Sequence, residues 1–414
     1  MRRTFYGWRI VAVAFLTHCI TTGIVFYSFG VFLSTLSEQF GWTRAQVSFG
    51  FSLVAMCGAV YSPFVGRAID RYGPRPSQLV GATCMALGFW LLRGIDTLLQ
   101  FYVLMGLIVS LGSTALGPLP SNTAVSNWFV RRRGRALGFS TAGISMGGVI
   151  FVPLTQYLIN RFGWRDAFGV LGVFIVCVAV PPVALFMRRS PESMGLRPDG
   201  DAPPSPGMPF DLDEEIERSW TPAQAMAHRN FWLIAAAFAL TVMGLSATLL
   251  HEISFLRDRG IDAAHASWAL GATAGVGVVG KLGFGALLDR FEQRRVIMWC
   301  FGLQALGVVL LAATTGWLTL TLFVVVYGFA MGGNATLQAT ILGDCFGRVH
   351  YGAIAGRMSP FIVFVQALAI PLAGAIRDAC GSYLPAFAVI FVANLLAMAC
   401  IARLEPHARP PRQR

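Results

Sequence analysis

The chain carries Gly66-Arg67-Ala68-Ile69-Asp70-Arg71-Tyr72-Gly73-Pro74-Arg75, and 219 residues later a degraded copy, Gly285-Ala286-Leu287-Leu288-Asp289-Arg290, with Arg294 in the place of Arg75. Gly41 and Gly260 keep the same offset of 219, and Gly163 and Gly381 differ by 218. A period of about half of the 414 residues indicates one unit duplicated. In both copies the motif joins two long apolar stretches. Glycine there lets helices approach closely, and Asp70 and Arg71 are suited to pair with helix ends or neighbouring loops.

The surroundings of the motif are apolar throughout. Hydrophobic residues make up 55% of the chain and charged residues 13%, against roughly 25% charged in a soluble domain. Mean hydropathy is +0.63. So few charges cannot coat a 44.8 kDa chain in water, and disorder needs the opposite composition. The composition therefore predicts an all-α polytopic membrane protein. Stretches of about 20 mainly apolar residues fall near 9–34, 45–66, 77–95, 98–123, 135–160 and 166–188, and again near 231–256, 262–287, 295–314, 317–342, 352–376 and 383–403. The expected organisation is a six-helix lobe over 1–188, a cytoplasmic linker over 189–229, a second six-helix lobe over 230–404 and a cytoplasmic tail over 405–414. The linker is polar and Pro-rich, and its acid cluster of Asp211, Asp213, Glu214, Glu215 and Glu217 is expected to form a short amphipathic helix near 211–217. Duplicated six-helix halves build two lobes about a central cavity near the bilayer midplane.

A net charge of +12 raises the question of an acidic partner. Topology answers it. With the N-terminus placed in the cytoplasm, 24 arginines fall on the inner side. Only seven, Arg44, Arg93, Arg161, Arg165, Arg257, Arg259 and Arg377, fall on the outer side. That asymmetry orients the helices with both termini inside, and no nucleic-acid partner is needed to explain the charge. Met1-Arg2-Arg3 run into an apolar stretch too long for a signal-peptide core. Six of the eight cysteines lie within apolar runs and no CxxC pair occurs, so neither a disulfide framework nor a metal site is expected.

Gly66-x-x-x-Asp70-Arg71-x-Gly73-x-Arg75 resembles the cytoplasmic loop signature of the major facilitator superfamily, and Gly285 to Arg294 resembles its second, weaker copy. The resemblance covers essentially the whole chain. It implies a gating role for Gly66, Asp70, Arg71, Asp289 and Arg290. A narrower likeness lies in Trp128-Phe129-Val130-Arg131-Arg132-Arg133-Gly134-Arg135-Ala136-Leu137-Gly138-Phe139-Ser140-Thr141-Ala142-Gly143, which is similar to the fifth-helix signature of monocarboxylate transporters. Gly7-Trp8 resembles that family's first-helix motif, without the acidic residue and extra glycine that usually precede it. Gly381-Ser382-Tyr383, together with His251, Asp258 and Gly260, resembles bacterial members that include the oxalate:formate antiporter group.

Ionisable groups at membrane depth are costly and mark function. Lys281 is the sole lysine of the chain and stands eight residues before Asp289. At a helical rise of 1.5 Å per residue that is roughly 12 Å deep, near the middle of a core about 30 Å thick. Gly275, Gly277, Gly280, Gly283 and Gly285 surround it with little bulk, so its helix lines a cavity or packs closely. The resemblance to monocarboxylate transporters places their carboxylate-binding arginine at Lys281, four residues before Gly285, while their acidic residue one turn earlier is replaced by Gly277. Lysine offers a point charge rather than a bidentate fork. An internal ion pair or a snorkelling side chain is the competing role. His18, nine residues past Arg9 and so roughly 13 Å deep by helix rise, is a candidate proton carrier or an interhelical hydrogen bonder. His251 is a candidate for substrate or proton, and the neighbouring Glu252 reads more readily as an outer-boundary residue. Arg357 occupies a helix in which related oxalate carriers hold a basic residue, and serves as a second anion site or a gate latch. Tyr327 and Asn334 are candidate substrate contacts, with Asn122 and Gln338 as weaker ones.

No phosphate-binding loop GxxxxGK[ST] and no HExxH cluster occurs in the sequence. The expected function is secondary active transport of small organic anions, monocarboxylates foremost, with proton symport. Anion exchange and efflux of amphipathic drugs or metabolites are the alternatives. A non-transporting sensor is a further reading from another class. No cofactor and no enzymatic activity are expected. The expected partners are the substrate anion, a proton or counter-anion and the lipid bilayer of a bacterial inner membrane, around a monomer.

Overall fold

The computed structural model describes residues 5–200 and 219–405. The acid cluster from Asp211 to Glu217, with its expected amphipathic helix, lies outside the described residues. Among the described residues the regular structure is entirely helical. Helix α1 runs Gly7–Phe40, α2 Arg44–Tyr72, α3 Pro74–Leu92 and α4 Leu98–Trp128. The continuous stretch Arg133–Phe186 breaks at Gly163, where φ is 80° and ψ 163°, giving α5 over 133–162 and α6 over 164–186. Short 3-10 turns at Pro191–Met194 and Pro198–Gly200 and a one-turn helix at Pro222–Ala227 follow. Then come α7 Arg229–Asp258, α8 Ala263–Leu288, α9 Gln293–Ala312, α10 Trp317–Phe346, α11 Tyr351–Cys380 and α12 Leu384–Ala402.

Most helices run beyond the apolar stretches that announce them. The apolar stretch at 45–66 is the N-terminal three-quarters of α2, which continues through Asp70 and Arg71 to Tyr72. Hydropathy reports only the part that crosses hydrocarbon, while backbone hydrogen bonding continues into water until a residue stops it. Gly73, at φ 89°, stops α2, and Pro74 opens α3 at once. At its other end Thr43 and Gln46 form a reciprocal capping box.

The described chain forms two compact units. The first holds residues 5–200, 219–222 and 346–360, and the second 223–345 and 361–405. The core of the first is aromatic, with Phe32 stacked on Phe168 at 3.9 Å between ring centroids and Phe89, Phe101 and Phe151 buried around them. The core of the second gathers Phe255, Phe323, Tyr327 and Phe387. The exteriors are equally apolar, and Leu99, Trp268 and Leu318 are each more than 70% exposed. On a soluble protein such surfaces would aggregate. On this one they face lipid.

With lipid as apolar as leucine, helix association depends on close backbone approach. In the first unit Gly143 and Gly147 of α5 press against α1, where an added Cβ would meet the Phe15 carbonyl oxygen at 2.2 Å and the Cys19 carbonyl oxygen at 2.4 Å. In the second, Gly280 of α8 abuts the Phe329 carbonyl oxygen and Gly332 of α10 abuts that of Gly277. The glycines around Lys281 thus serve close packing at Gly277 and Gly280, while Gly275 faces open space. Gly280→Leu is expected to destabilise the purified protein by about 1–3 kcal/mol through overpacking, and Gly275→Leu to leave it unchanged. Thermal denaturation in detergent reads the difference.

Candidate functional site

The duplicated motif is built around Asp70. Its Oδ1 accepts the backbone N–H of Gly352 at 2.9 Å and its Oδ2 that of Ala353 at 2.7 Å. These are unsatisfied donors of the first turn of α11, where the helix dipole favours a carboxylate. Gly66 makes the approach possible, because an added Cβ would lie 2.1 Å from the Gly352 carbonyl oxygen. One turn on, Gly356 meets the Ser62 carbonyl oxygen in the same way. Arg189 donates to the Asp70 backbone carbonyl at 2.6 Å. Nearby, Arg348 pairs with Glu192 at 2.7 Å and donates to the Asn127 carbonyl at 3.0 Å while only 8% exposed. Arg71 is exposed and lies over the ring of Tyr72 at 5.2 Å. The second copy is looser: Asp289 and Arg290 lie in the turn after α8, half-buried and exposed respectively.

The segment Val130–Arg132 forms an anchored turn. Its three successive backbone N–H groups donate to the carboxylate of Asp199 at 3.0, 2.8 and 3.1 Å. Asp199 itself holds a positive φ of 59°. No sequence signal singled out Asp199, since an isolated acid in a Pro-rich stretch carries none.

Lys281 lies in α8, 5% exposed. The α8–α10 crossing falls at its level, with Gly332 within 2.9 Å of the Lys281 backbone nitrogen once a Cβ is added. That contact places Asn334, 4% exposed, within one turn of the same level. Both polar atoms of the Asn334 amide are buried without a hydrogen-bond partner. Lys281 on α8 offers a cation and Asn334 on α10 an amide with unused donor and acceptor, each suited to a carboxylate, although the face of α10 that meets α8 is that of Gly332, not Asn334.

His251 is half-buried near the end of α7, its ring 5.2 Å from that of Tyr383. Tyr383 also lies beneath Arg377, which pairs with Asp258 at 3.1 Å. Tyr327 is 1% exposed in the core of the second unit, stacked with Phe323 and facing Thr248 and Glu252 of α7. Glu252, whose place in the sequence suggests an outer-boundary residue, is instead fully buried with both carboxylate oxygens lacking a partner.

In the first unit His18 is fully buried, with Nδ1 2.9 Å from the Ala14 carbonyl oxygen. Around it Thr17 shares a hydrogen bond with Ser121 at 2.8 Å, and Gln78 donates to Ser121 at 3.0 Å. This is a buried polar network of α1, α3 and α4. Arg357 is half-buried on α11, one residue past the Gly356–Ser62 contact, and Asn122 is half-buried on α4. Gln338 is half-buried on α10. Two surface clefts of about 540 and 420 Å³, lined by residues such as Trp90, Arg93 and Phe162 or Arg9, Leu16 and Phe186, include none of these candidates.

Comparison with known proteins gives one consistent family. The sequence pattern of the Major Facilitator Superfamily matches residues 13–256 and 233–414. The chain is similar to monocarboxylate transporter 13 of Bos taurus, 28% identical over 411 residues that span 97% of this chain and 90% of that one. It is also similar to monocarboxylate transporter 2 of Homo sapiens, 24% identical over 91% of this chain and 81% of that one. Among solved structures it shares its fold with the major facilitator transporter FucP in the outward conformation, at a TM-score of 0.70 and 16% identity over 95% of this chain and 98% of that one. The proton:xylose symporter XylE aligns at a TM-score of 0.74 and 14% identity over 97% of this chain and 96% of that one.

Asp70→Asn keeps the shape and removes the charge that caps α11. The loss is expected to cost about 1 kcal/mol, which is about a fivefold change in an opening equilibrium. Hydrogen exchange at the Gly352 and Ala353 amides is expected to quicken by that factor.

Proposed function

Because the chain belongs to the major facilitator superfamily, and is a secondary transporter rather than an enzyme, we propose that it carries small organic anions, monocarboxylates foremost, by alternating access with proton symport. The observation that carries this reading is Lys281, a cation 5% exposed inside an apolar membrane helix. An ammonium at that depth attracts an anionic substrate, and ionisable groups inside membrane helices mark substrate pathways. Binding neutralises the site and lowers the barrier to the change of lobe orientation. Asn334 supplies hydrogen bonds to the bound carboxylate, and His251, Arg357 and Tyr327 are the remaining substrate contacts proposed. His18 and His251 are the first candidates for the coupled proton. Gly66, Asp70, Arg71, Asp289 and Arg290 form the gating segments. The names of its relatives, monocarboxylate transporters spanning nearly the whole chain, support the substrate class.

The proposed setting is the inner membrane of a bacterium, with both termini cytoplasmic and a monomer as the working unit. The excess of arginine on one side of the helices supports the orientation. The proposed lobes are 1–188 and 230–404, joined by the cytoplasmic linker 189–229 and followed by the tail 405–414.

Uptake of labelled short, aromatic and dicarboxylic acids into proteoliposomes, with and without an inward proton gradient, tests the reading. Stimulation by the gradient is the expected result. Dependence on an internal anion instead would establish exchange, and no carboxylate flux in any condition would overturn the proposal. Lys281→Ala is expected to weaken carboxylate binding by about 3 kcal/mol, roughly a hundredfold. Lys281→Arg is expected to retain part of it. Ligand-induced thermal stabilisation of purified protein measures both.

A further inference from the structure

We propose that Glu252 is the group whose protonation couples proton movement to the transport cycle, through a buried cluster with Tyr327 and Thr248 in the second unit. The inference rests on the symport reading above and replaces the two histidines as proton carriers.

Glu252 sits on α7 with 0% exposure, and neither carboxylate oxygen has a hydrogen-bond partner. Thr248, one turn earlier on α7, is also fully buried. From α10, the Tyr327 phenol lies beside Thr248 and within electrostatic reach of Glu252, without a hydrogen bond to the carboxylate, while its ring is stacked on Phe323. Phe255, Leu256 and Ala247 of α7 are buried in the surrounding apolar core.

The charged and titratable groups of the packed elements are accounted for elsewhere. On α8 they are His265, which pairs with Asp262, and Lys281, which lies sixteen residues further along. The α12 segment Leu384–Ala402 has no acid or base, only Cys400 at its far end, and Tyr383 just before it faces His251. On α11, Arg377 pairs with Asp258, Asp378 is exposed beside Arg377, and Arg357 belongs to the part of that helix in the first unit. Among the described residues no cation pairs with Glu252.

An ionised carboxylate in such a place has neither water nor a countercharge, whereas the neutral acid tolerates it far better. The packed cluster is therefore an arrangement of the protonated acid. Ionisation, with the proton released to water and the negative charge left on the carboxylate, requires an arrangement in which Glu252 is wetted. Two protonation states that prefer two arrangements link the proton to the conformational equilibrium.

Glu252→Gln copies the neutral acid in shape and cannot release a proton. It is expected to keep counterflow of labelled carboxylate between equal pools. It is also expected to lose gradient-driven accumulation by tenfold or more and to flatten the pH profile of uptake. Glu252→Asp is expected to keep accumulation with a displaced pH profile. Accumulation by Glu252→Gln equal to wild type overturns the proposal. An infrared pH titration of wild-type protein carrying carbon-13 glutamate needs no substrate and no variant. A protonated glutamate carbonyl band that persists past the range of exposed carboxyls, then vanishes at higher pH, is expected. Absence of such a band overturns the proposal even if Glu252→Gln fails to fold. If wild type moves no carboxylate at all, the substrate reading fails while the titration still decides the fate of Glu252.

Discussion

Hydrocarbon supplies no hydrogen bonds, and the rest of the molecule depends on that constraint. Each backbone amide that crosses the membrane must find its partner within the chain, so the crossing elements are helices throughout the described residues. Serine and threonine return their hydroxyls to carbonyls one turn back, as Thr241 does to Ala237 and Thr273 to Ala269. Because apolar side chains gain nothing by leaving lipid for one another, the helices meet through glycine against carbonyl. Proline is tolerated inside α2, α5 and α6, at Pro63, Pro153, Pro181 and Pro182.

That constraint also explains what the sequence made legible. A helix that crosses lipid must be apolar for about 20 residues, so eleven of the twelve helices stand out in hydropathy once the loop glycine Gly163 divides α5 from α6, and α3, with its polar first turn, is the weakest. The duplicated Gly66–Arg71 motif was visible because its two copies share one offset. Its partner was not. Asp70 bonds backbone amides 282 and 283 residues away, and backbone groups leave no trace in residue type. The glycines near Lys281 look alike in sequence, yet Gly280 packs against the Phe329 carbonyl while Gly275 faces open space.

Burial of single polar side chains was the least legible quantity. Glu252 and His251 are neighbours in sequence, yet one is fully buried and the other half-buried. A helix turns by about 100° per residue, so adjacent residues look in different directions, and near a helix end hydropathy cannot say which one faces the core. Tyr327 posed the same problem in reverse. Its hydroxyl suggested a wet wall, and it lies instead between Phe323, Thr248 and Glu252.

The ties at the two ends of the helices differ in kind. Asp70 holds the start of α11 through amide donors, reinforced by the Arg348–Glu192 pair, whose side chains are 9% and 18% exposed. At the opposite ends, Arg93–Asp166, Arg165–Asp96 and Arg377–Asp258 are ion pairs open to solvent. Mobile ions screen exposed pairs within a distance of about 8 Å at physiological ionic strength and act far less on shielded ones. Ionic strength thus acts as a selective solvent variable. Raising it loosens the exposed pairs while the shielded one keeps its grip, so the salt content of the medium sets how firmly each unit is tied at its solvent-facing helix ends.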